Sequence, residues 1–157
     1  MIQRLFPKQI DNRFEGHRLA LWLLALHAGL RVVIGINSIA NTAKIAGGAD
    51  GYRLASYGAD GARAVLMLFS LNGLSGLILG LIGVIALLRY RAMVPLVLLL
   101  LLVEFLGRRM IIQSYALERA HALGFAYWLN LSMLLMLVLG LALAFWPDRR
   151  RGEGSAG

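Results

Sequence analysis

The sequence predicts an all-α, polytopic membrane protein: a four-helix transmembrane bundle with both termini in the cytoplasm. Hydrophobic residues make up 59% of the chain, and the mean hydropathy is +0.72, above the near-half apolar share of soluble domains. Four apolar stretches each approach the roughly 20 residues that cross a bilayer as a helix. Most Lys and Arg residues lie in short segments beside these stretches, which is how membrane topology is set.

Composition excludes several classes of function. The chain has no cysteine, so disulfides, thiolate metal sites and thiol redox catalysis are ruled out. The net charge of +8 suits nucleic acid, but the flanking positions of the cations are explained by topology, and no nucleic-acid partner is expected. The three histidines are His17, His27 and His121, which lack metal-ligand spacing. We therefore predict no metal site, no catalytic residues and no cofactor of the chain's own.

The chain begins with a basic segment, residues 1–18, whose apolar residues fall roughly at helical spacing. It fits a short basic segment lying on the membrane surface, and a disordered basic tail is the alternative. A four-helix transmembrane domain follows over residues 19–146, with its first span at about 19–40. A polar connection then contains GADG twice, and we expect Asp60 to cap the second span.

The second span, at about 63–88, has glycines at regular intervals. Gly73, Gly76, Gly80 and Gly83 are spaced three, four and three residues apart, which places them on one helix face. Such a face lets another helix backbone approach closely. The packing partner is either a neighbouring span or a second copy of the chain.

The third and fourth spans are separated from the second by a tight basic turn, RYRAM. The third span, at about 94–115, has Pro95 in its first turn, where a missing amide proton costs little. The fourth, at about 125–146, ends at Pro147, and residues 147–157 form a basic tail predicted to be disordered.

Orientation follows from the distribution of positive charge. The N-terminal segment, the central turn and the tail together hold nine Lys or Arg residues, whereas the opposite side holds six. Because positive charge favours the cytoplasmic side, both termini are predicted to be cytoplasmic.

Charged residues within the spans define a predicted polar centre. At about 1.5 Å of rise per residue, Arg31 lies roughly 18 Å along the first span and Glu104 roughly 15 Å along the third from the same side. We therefore expect them to pair near the midplane. Glu104 and Arg108 are four residues apart on one helix face and can form a second pair. The polar centre comprises these and neighbouring polar residues: His27, Arg31, Asn72, Glu104, Arg108 and Arg109.

Two interpretations of the polar centre remain open. In the structural one, the buried pair fixes the register of the helices while asparagines satisfy the remaining donors. In the functional one, the same residues line a cavity that binds a polar headgroup, a quinone or a proton-carrying chain of water.

Two stretches resemble the DoxX-like group of small four-helix bacterial membrane proteins. They are LRVVIGINSIANTAKIA, residues 30–46, and GLSGLILGLIGVIALLRYRAMVPLVLLLLL, residues 73–102. The resemblance implies a four-helix bundle in the bacterial inner membrane, in some relatives an accessory or quinone-linked subunit of a redox system. The parts of that family that work beside cysteine chemistry have no counterpart here, and Glu104 and the GADG repeat do not match its pattern.

The sequence is compatible with three functions. The leading one is a non-enzymatic accessory or assembly subunit, which predicts a membrane-protein partner or a homo-oligomer besides the membrane lipids. The second is a membrane redox subunit that binds a quinone or lipid at the polar centre. The third is a proton-coupled transporter acting as a dimer, which four spans without an inverted repeat make harder to build.

Overall fold

Four long helices make up most of the protein in this computed structural model, which describes residues 5–6, 9, 11–49, 53–115 and 124–146. They are α1 (Leu19–Ala40), α2 (Gly58–Arg89), α3 (Val94–Ser114) and α4 (Phe125–Phe145). Their bounds agree with the predicted spans to within a residue or two, except that α2 begins five residues early. The predicted tail, residues 147–157, and part of the N-terminal segment lie outside the described residues.

Among the described residues, three helical segments are long and apolar enough to cross a membrane: Leu19–Ala40, Leu54–Arg89 and Tyr127–Phe145. The remaining long helix, α3, has 21 residues but also three charged side chains, those of Glu104, Arg108 and Arg109. Length and composition thus support a helical membrane protein with three spans. The crossing of α3 and the orientation of the termini stay predictions.

The predicted cap at Asp60 is wrong. A 3-10 helix, Leu54–Tyr57, leads into Gly58, whose φ of 68° lets the chain turn directly into α2. The helix therefore starts before Asp60, which lies in its first turn and makes no capping hydrogen bond. Its carboxylate instead pairs with Arg63 at 3.5 Å, near the positive end of the helix dipole.

Helix α1 is the central element. It packs along α2 on one side and against α4 on another, while α3 packs mainly on α4 and only lightly on α1 and α2. The α1–α2 contact is close because a Cβ at Gly35 of α1 would lie 2.8 Å from the carbonyl oxygen of Gly73. On α2, a Cβ at Gly80 would lie 2.9 Å from Val32, and one at Gly83 would lie 2.9 Å from Ala28.

Gly76 departs from the predicted glycine face, because a Cβ there would meet no atom within 4 Å. Gly73 packs against α1 at Gly35, and Gly80 packs against α1 at Ala28. The α1 residue between those levels is Arg31, whose side chain is bonded to α3 instead. The glycine face thus packs against a neighbouring helix of the same chain, but not along its whole length.

One end of the bundle, here called the base, is held together by the N-terminal segment. The amide of His17 donates to the carbonyl of Leu143 at 3.0 Å, and the amide of Ala92 donates to the carbonyl of Asp11 at 3.2 Å. Gly16 packs so tightly that a Cβ would lie 2.5 Å from the carbonyl oxygen of Ala144. Residues 11–18 therefore cross the base in irregular conformation, and their place on the membrane surface stays a prediction.

The apolar core lies in the half of the bundle nearest the base. Its fully buried members come from α1, α3 and α4, and the largest are Leu24, Val94, Leu98, Leu101 and Leu137. Above this core, at Phe105 and Met133, the buried surface changes from apolar to polar.

Candidate polar site between the helices

Among the described residues, Arg31 is the most deeply buried charge, with 3% of its surface exposed. Its Nε donates to His27 Nε2 one helical turn away at 3.3 Å, and its Nη2 donates to Glu104 Oε2 on α3. The remaining nitrogen, Nη1, is buried and makes no hydrogen bond within the described part of the chain. A buried guanidinium with an unused donor has capacity for one more acceptor.

Glu104 joins two arginines. One carboxylate oxygen accepts from Arg31, and the other lies 2.9 Å from Arg108 Nη2. Arg108 Nη1 in turn donates to Asn72 Oδ1 of α2 at 3.4 Å. Both ion pairs predicted from helix depth and spacing are therefore present, and together with His27 and Asn72 they form one network.

This central network, defined as His27, Arg31, Asn72, Glu104 and Arg108, grades from buried to accessible. His27 is fully buried, whereas the side chains of Glu104 and Arg108 are 30% and 33% exposed. Asn72 is exposed. The network thus extends from the interior beside α4 to an open side between α2 and α3.

The hydrogen bond from Arg31 assigns the tautomer of His27. Arginine Nε–H is a donor, so His27 Nε2 must supply the lone pair, and the neutral ring carries its proton on Nδ1. Nδ1 is buried and makes no hydrogen bond of ordinary geometry among the described residues, although the backbone of Met133 lies beside the ring. The imidazole therefore anchors Arg31 from inside.

The network has an unused donor at its buried end. Arg31 and Arg108 both donate to the carboxylate of Glu104, and Arg31 Nη1 makes no hydrogen bond within the described part of the chain. In a medium of low dielectric constant an unused donor on a buried charge is costly unless an electronegative oxygen comes close. The arrangement at Arg31 therefore favours an acceptor rather than a cation as ligand.

Arg109 does not join the central network. It is exposed, and among the residues that the structure describes it makes no ion pair. Consecutive helical residues differ by about 100° in direction, so Arg109 points away from the side of α3 that carries Arg108. The sequence prediction placed Arg108 and Arg109 together because they lie at the same depth along the helix. They differ in the helix face on which they lie.

The opening beside Gly76 was not predicted. The glycine spacing treats all four α2 glycines alike, and only the tertiary packing distinguishes them. Its one sequence signal is Asn72, a polar residue four positions before Gly76 on the same helix face.

No protein-family model, curated protein or solved structure matches this chain. The DoxX-like resemblance thus stays a prediction. Among the described residues, no three His, Asp or Glu side chains lie close enough to hold a metal ion.

Proposed function

We propose that this chain is a multi-pass membrane protein without catalytic activity of its own that binds an amphiphile, a lipid or a quinone, at the central network. The observation that carries the proposal is the Arg31–Glu104–Arg108 chain, which is buried at one end, where Arg31 Nη1 makes no hydrogen bond among the described residues, and one-third exposed at the other. Charged groups at membrane depth are costly, and they commonly mark a functional site.

The donors suit an oxygen-rich headgroup. Guanidinium groups bind phosphate and carbonyl oxygens through charge-assisted hydrogen bonds, and Arg31 Nη1 is buried with no hydrogen-bond partner among the described residues. Arg108 and the amide of Asn72 lie at the accessible end of the network. A phosphate or quinone oxygen would supply the acceptor that the network lacks at Arg31.

The same proposal covers location and topology. Helix α3 would cross the membrane as a fourth span, because Glu104 and Arg108 face the network rather than lipid. The excess of Lys and Arg on one side supports cytoplasmic termini. A bacterial inner membrane rests on the DoxX-like resemblance alone.

The test is native mass spectrometry of the full chain extracted gently from its own membrane, followed by identification of the bound small molecules. The wild-type protein should carry a lipid or quinone in a fixed ratio. The double variant Arg31→Ala, Glu104→Ala should lose it, and Arg108→Gln should lose most of it without disturbing the buried end.

Arg109→Gln is the matched control, since it removes the same charge from the neighbouring position outside the network. It should retain the bound molecule at the wild-type ratio. If both the double variant and Arg108→Gln retained the bound molecule, the proposal would be rejected. If Arg109→Gln lost it equally, the binding would reflect nonspecific attraction to positive charge. Circular dichroism of each variant establishes that the helices are intact.

A second candidate, an accessory subunit of a larger membrane assembly, is favoured by Arg109 itself. An exposed arginine on α3 stands beside the exposed apolar residues Met110 and Ile111. A partner helix with an acidic residue would satisfy it. In that case native mass spectrometry should show a stoichiometric protein partner or a second copy, lost in Arg109→Gln.

Proton transport is less well supported by this geometry. Arg31 separates Glu104 from His27, and a guanidinium does not release its proton in proteins. A relay through these side chains would stop at Arg31.

A further inference from the structure

Gly76 stands beside an opening in the helix packing. It is only half-buried, and a Cβ there would meet no atom within 4 Å. The three other glycines of the predicted face are closed off by α1 at 3.2 Å or less. A small residue is therefore not needed at position 76 for helix contact.

The opening lies at the level of the Glu104 carboxylate. Helices α2 and α3 run in opposite directions because a short turn, Arg91–Met93, joins them. The bond between Arg108 and Asn72 fixes their register. One turn nearer the base, Glu104 on α3 and Gly76 on α2 therefore lie at a similar level along the two helices.

The exposure of the charged residues agrees with this placement. Glu104 remains 30% exposed although it is bonded to two arginines, while its partner Arg31 is 3% exposed. A side chain at position 76 would extend into open space at this level. The missing side chain and the exposed carboxylate thus describe one opening, here called the α2–α3 gap.

The gap has a polar side and an apolar side. Towards the loop end lie Asn72 and Arg108, and towards the base lies Leu79, which packs against the apolar core. An amphiphile would place its headgroup at the polar side and its hydrocarbon tail at the apolar side. A glycine between them leaves room for the first carbons of the chain.

We propose that the α2–α3 gap is the passage through which the tail of the bound amphiphile leaves the central network for the surrounding lipid. Residue 76 thereby determines which tails the site accepts. The inference rests on the proposed function and adds to it a position for the tail and a residue that controls specificity.

The first test fills the gap. The full chain in nanodiscs of phosphatidylcholine is titrated with two probes, decylubiquinone and phosphatidylglycerol, and binding is compared between Gly76→Leu and Gly29→Leu. Gly29 is the matched control, because it is exposed on α1 and a Cβ there also meets no atom within 4 Å. Gly76→Leu should weaken binding by about tenfold, the scale of a steric change in an apolar pocket, whereas Gly29→Leu should leave it unchanged.

The second test does not depend on the tolerance of leucine. Because the chain has no cysteine, Gly76→Cys and Gly29→Cys each introduce a single thiol. The probe that binds should slow the reaction of methyl methanethiosulfonate with the thiol at position 76 severalfold, with no change at position 29. The probe that protects identifies the headgroup as quinone or phospholipid.

The outcomes separate the two proposals. Wild-type binding that Arg108→Gln abolishes but Gly76→Leu leaves intact, with no protection of the thiol, overturns the tail passage and keeps the proposed function. Binding of neither probe to the wild-type protein, with no co-purifying amphiphile, overturns both. Equal loss in Gly76→Leu and Gly29→Leu also overturns the passage, since the effect would then be one of added bulk.

Discussion

Helix α2 has two interfaces that differ in how they are held. The interface with α1 is a close contact of the two helices at Gly73, Gly80 and Gly83 of α2. On the α1 side, Gly35 also lacks a side chain and packs against α2. Against α3, the same helix has Gly76 open, and the described contacts at this level are charged and polar, through Asn72 and Arg108. One interface is closed by shape and the other is bridged by charge.

The difference shows that glycine spacing has two meanings. It allows a close approach of helices, but the neighbouring helix must also present small residues for the approach to occur. Opposite Gly80, helix α1 presents Ala28 and Val32. Near Gly76 it presents Arg31, whose long side chain reaches α3 instead. The α2–α3 gap is therefore a consequence of where the first span places its charge.

The largest expected effect comes from removing the bridging carboxylate. Glu104→Ala leaves Arg31 buried without its counter-ion, which should lower the free energy of unfolding by about 3 kcal/mol. Unfolding in mixed micelles of sodium dodecyl sulfate, followed by circular dichroism, measures the change. The conservative Glu104→Gln, which keeps an acceptor oxygen for one of the two arginines but turns its NH2 donor towards the other, should lose less.

The double variant Arg31→Met, Glu104→Leu tests the cause of that loss. Because it removes the buried charge together with its partner, it should recover a large part of the stability. A double variant as unstable as Glu104→Ala would mean that the packing of the carboxylate, rather than the unpaired guanidinium, is responsible.

A smaller loss is expected in the closed interface. In Gly80→Ala the new Cβ would lie 2.9 Å from Val32 Cγ2 and 3.0 Å from both the Val32 amide nitrogen and the Ala28 carbonyl oxygen. Because two of these atoms are backbone, α1 must move as a unit, at a cost of about 1–3 kcal/mol. The same detergent unfolding measures it, and an unchanged stability would show that the α1–α2 contact is looser than its distances indicate.

The opposite sign is expected at the open position of the same helix. Gly76→Ala meets no atom within 4 Å, and alanine loses less backbone entropy than glycine in a helix interior. The variant should therefore gain about 0.5–1 kcal/mol. Gly29→Ala, equally open on α1, should gain a similar amount. A loss of stability in Gly76→Ala but not in Gly29→Ala would mean that the α2–α3 gap is too narrow for a methyl group.

Much of this fold could be predicted from the sequence, because apolar length and flanking charge locate the long helices independently of packing. The Arg31–Glu104 pair could be predicted too, since depth along two helices from one side is simple geometry. Arg109 was misplaced because depth ignores direction around the helix. The irregular path of residues 11–18 across the base depends on backbone bonds to Ala92 and Leu143, which no local pattern encodes.

The smallest effect on stability is expected at the accessible end of the network. Arg108→Gln removes an ion pair of one-third exposed groups, and helix pairs of this spacing contribute only about 0.3–0.5 kcal/mol. Unfolding should thus change little, although the bound amphiphile should be lost. Glu104→Ala would lower both quantities, and Arg109→Gln neither. A large loss of stability in Arg108→Gln would mean that the fold depends on the α2–α3 contacts as much as on the α1–α2 contacts. The central network would then be a structural bridge rather than a binding site.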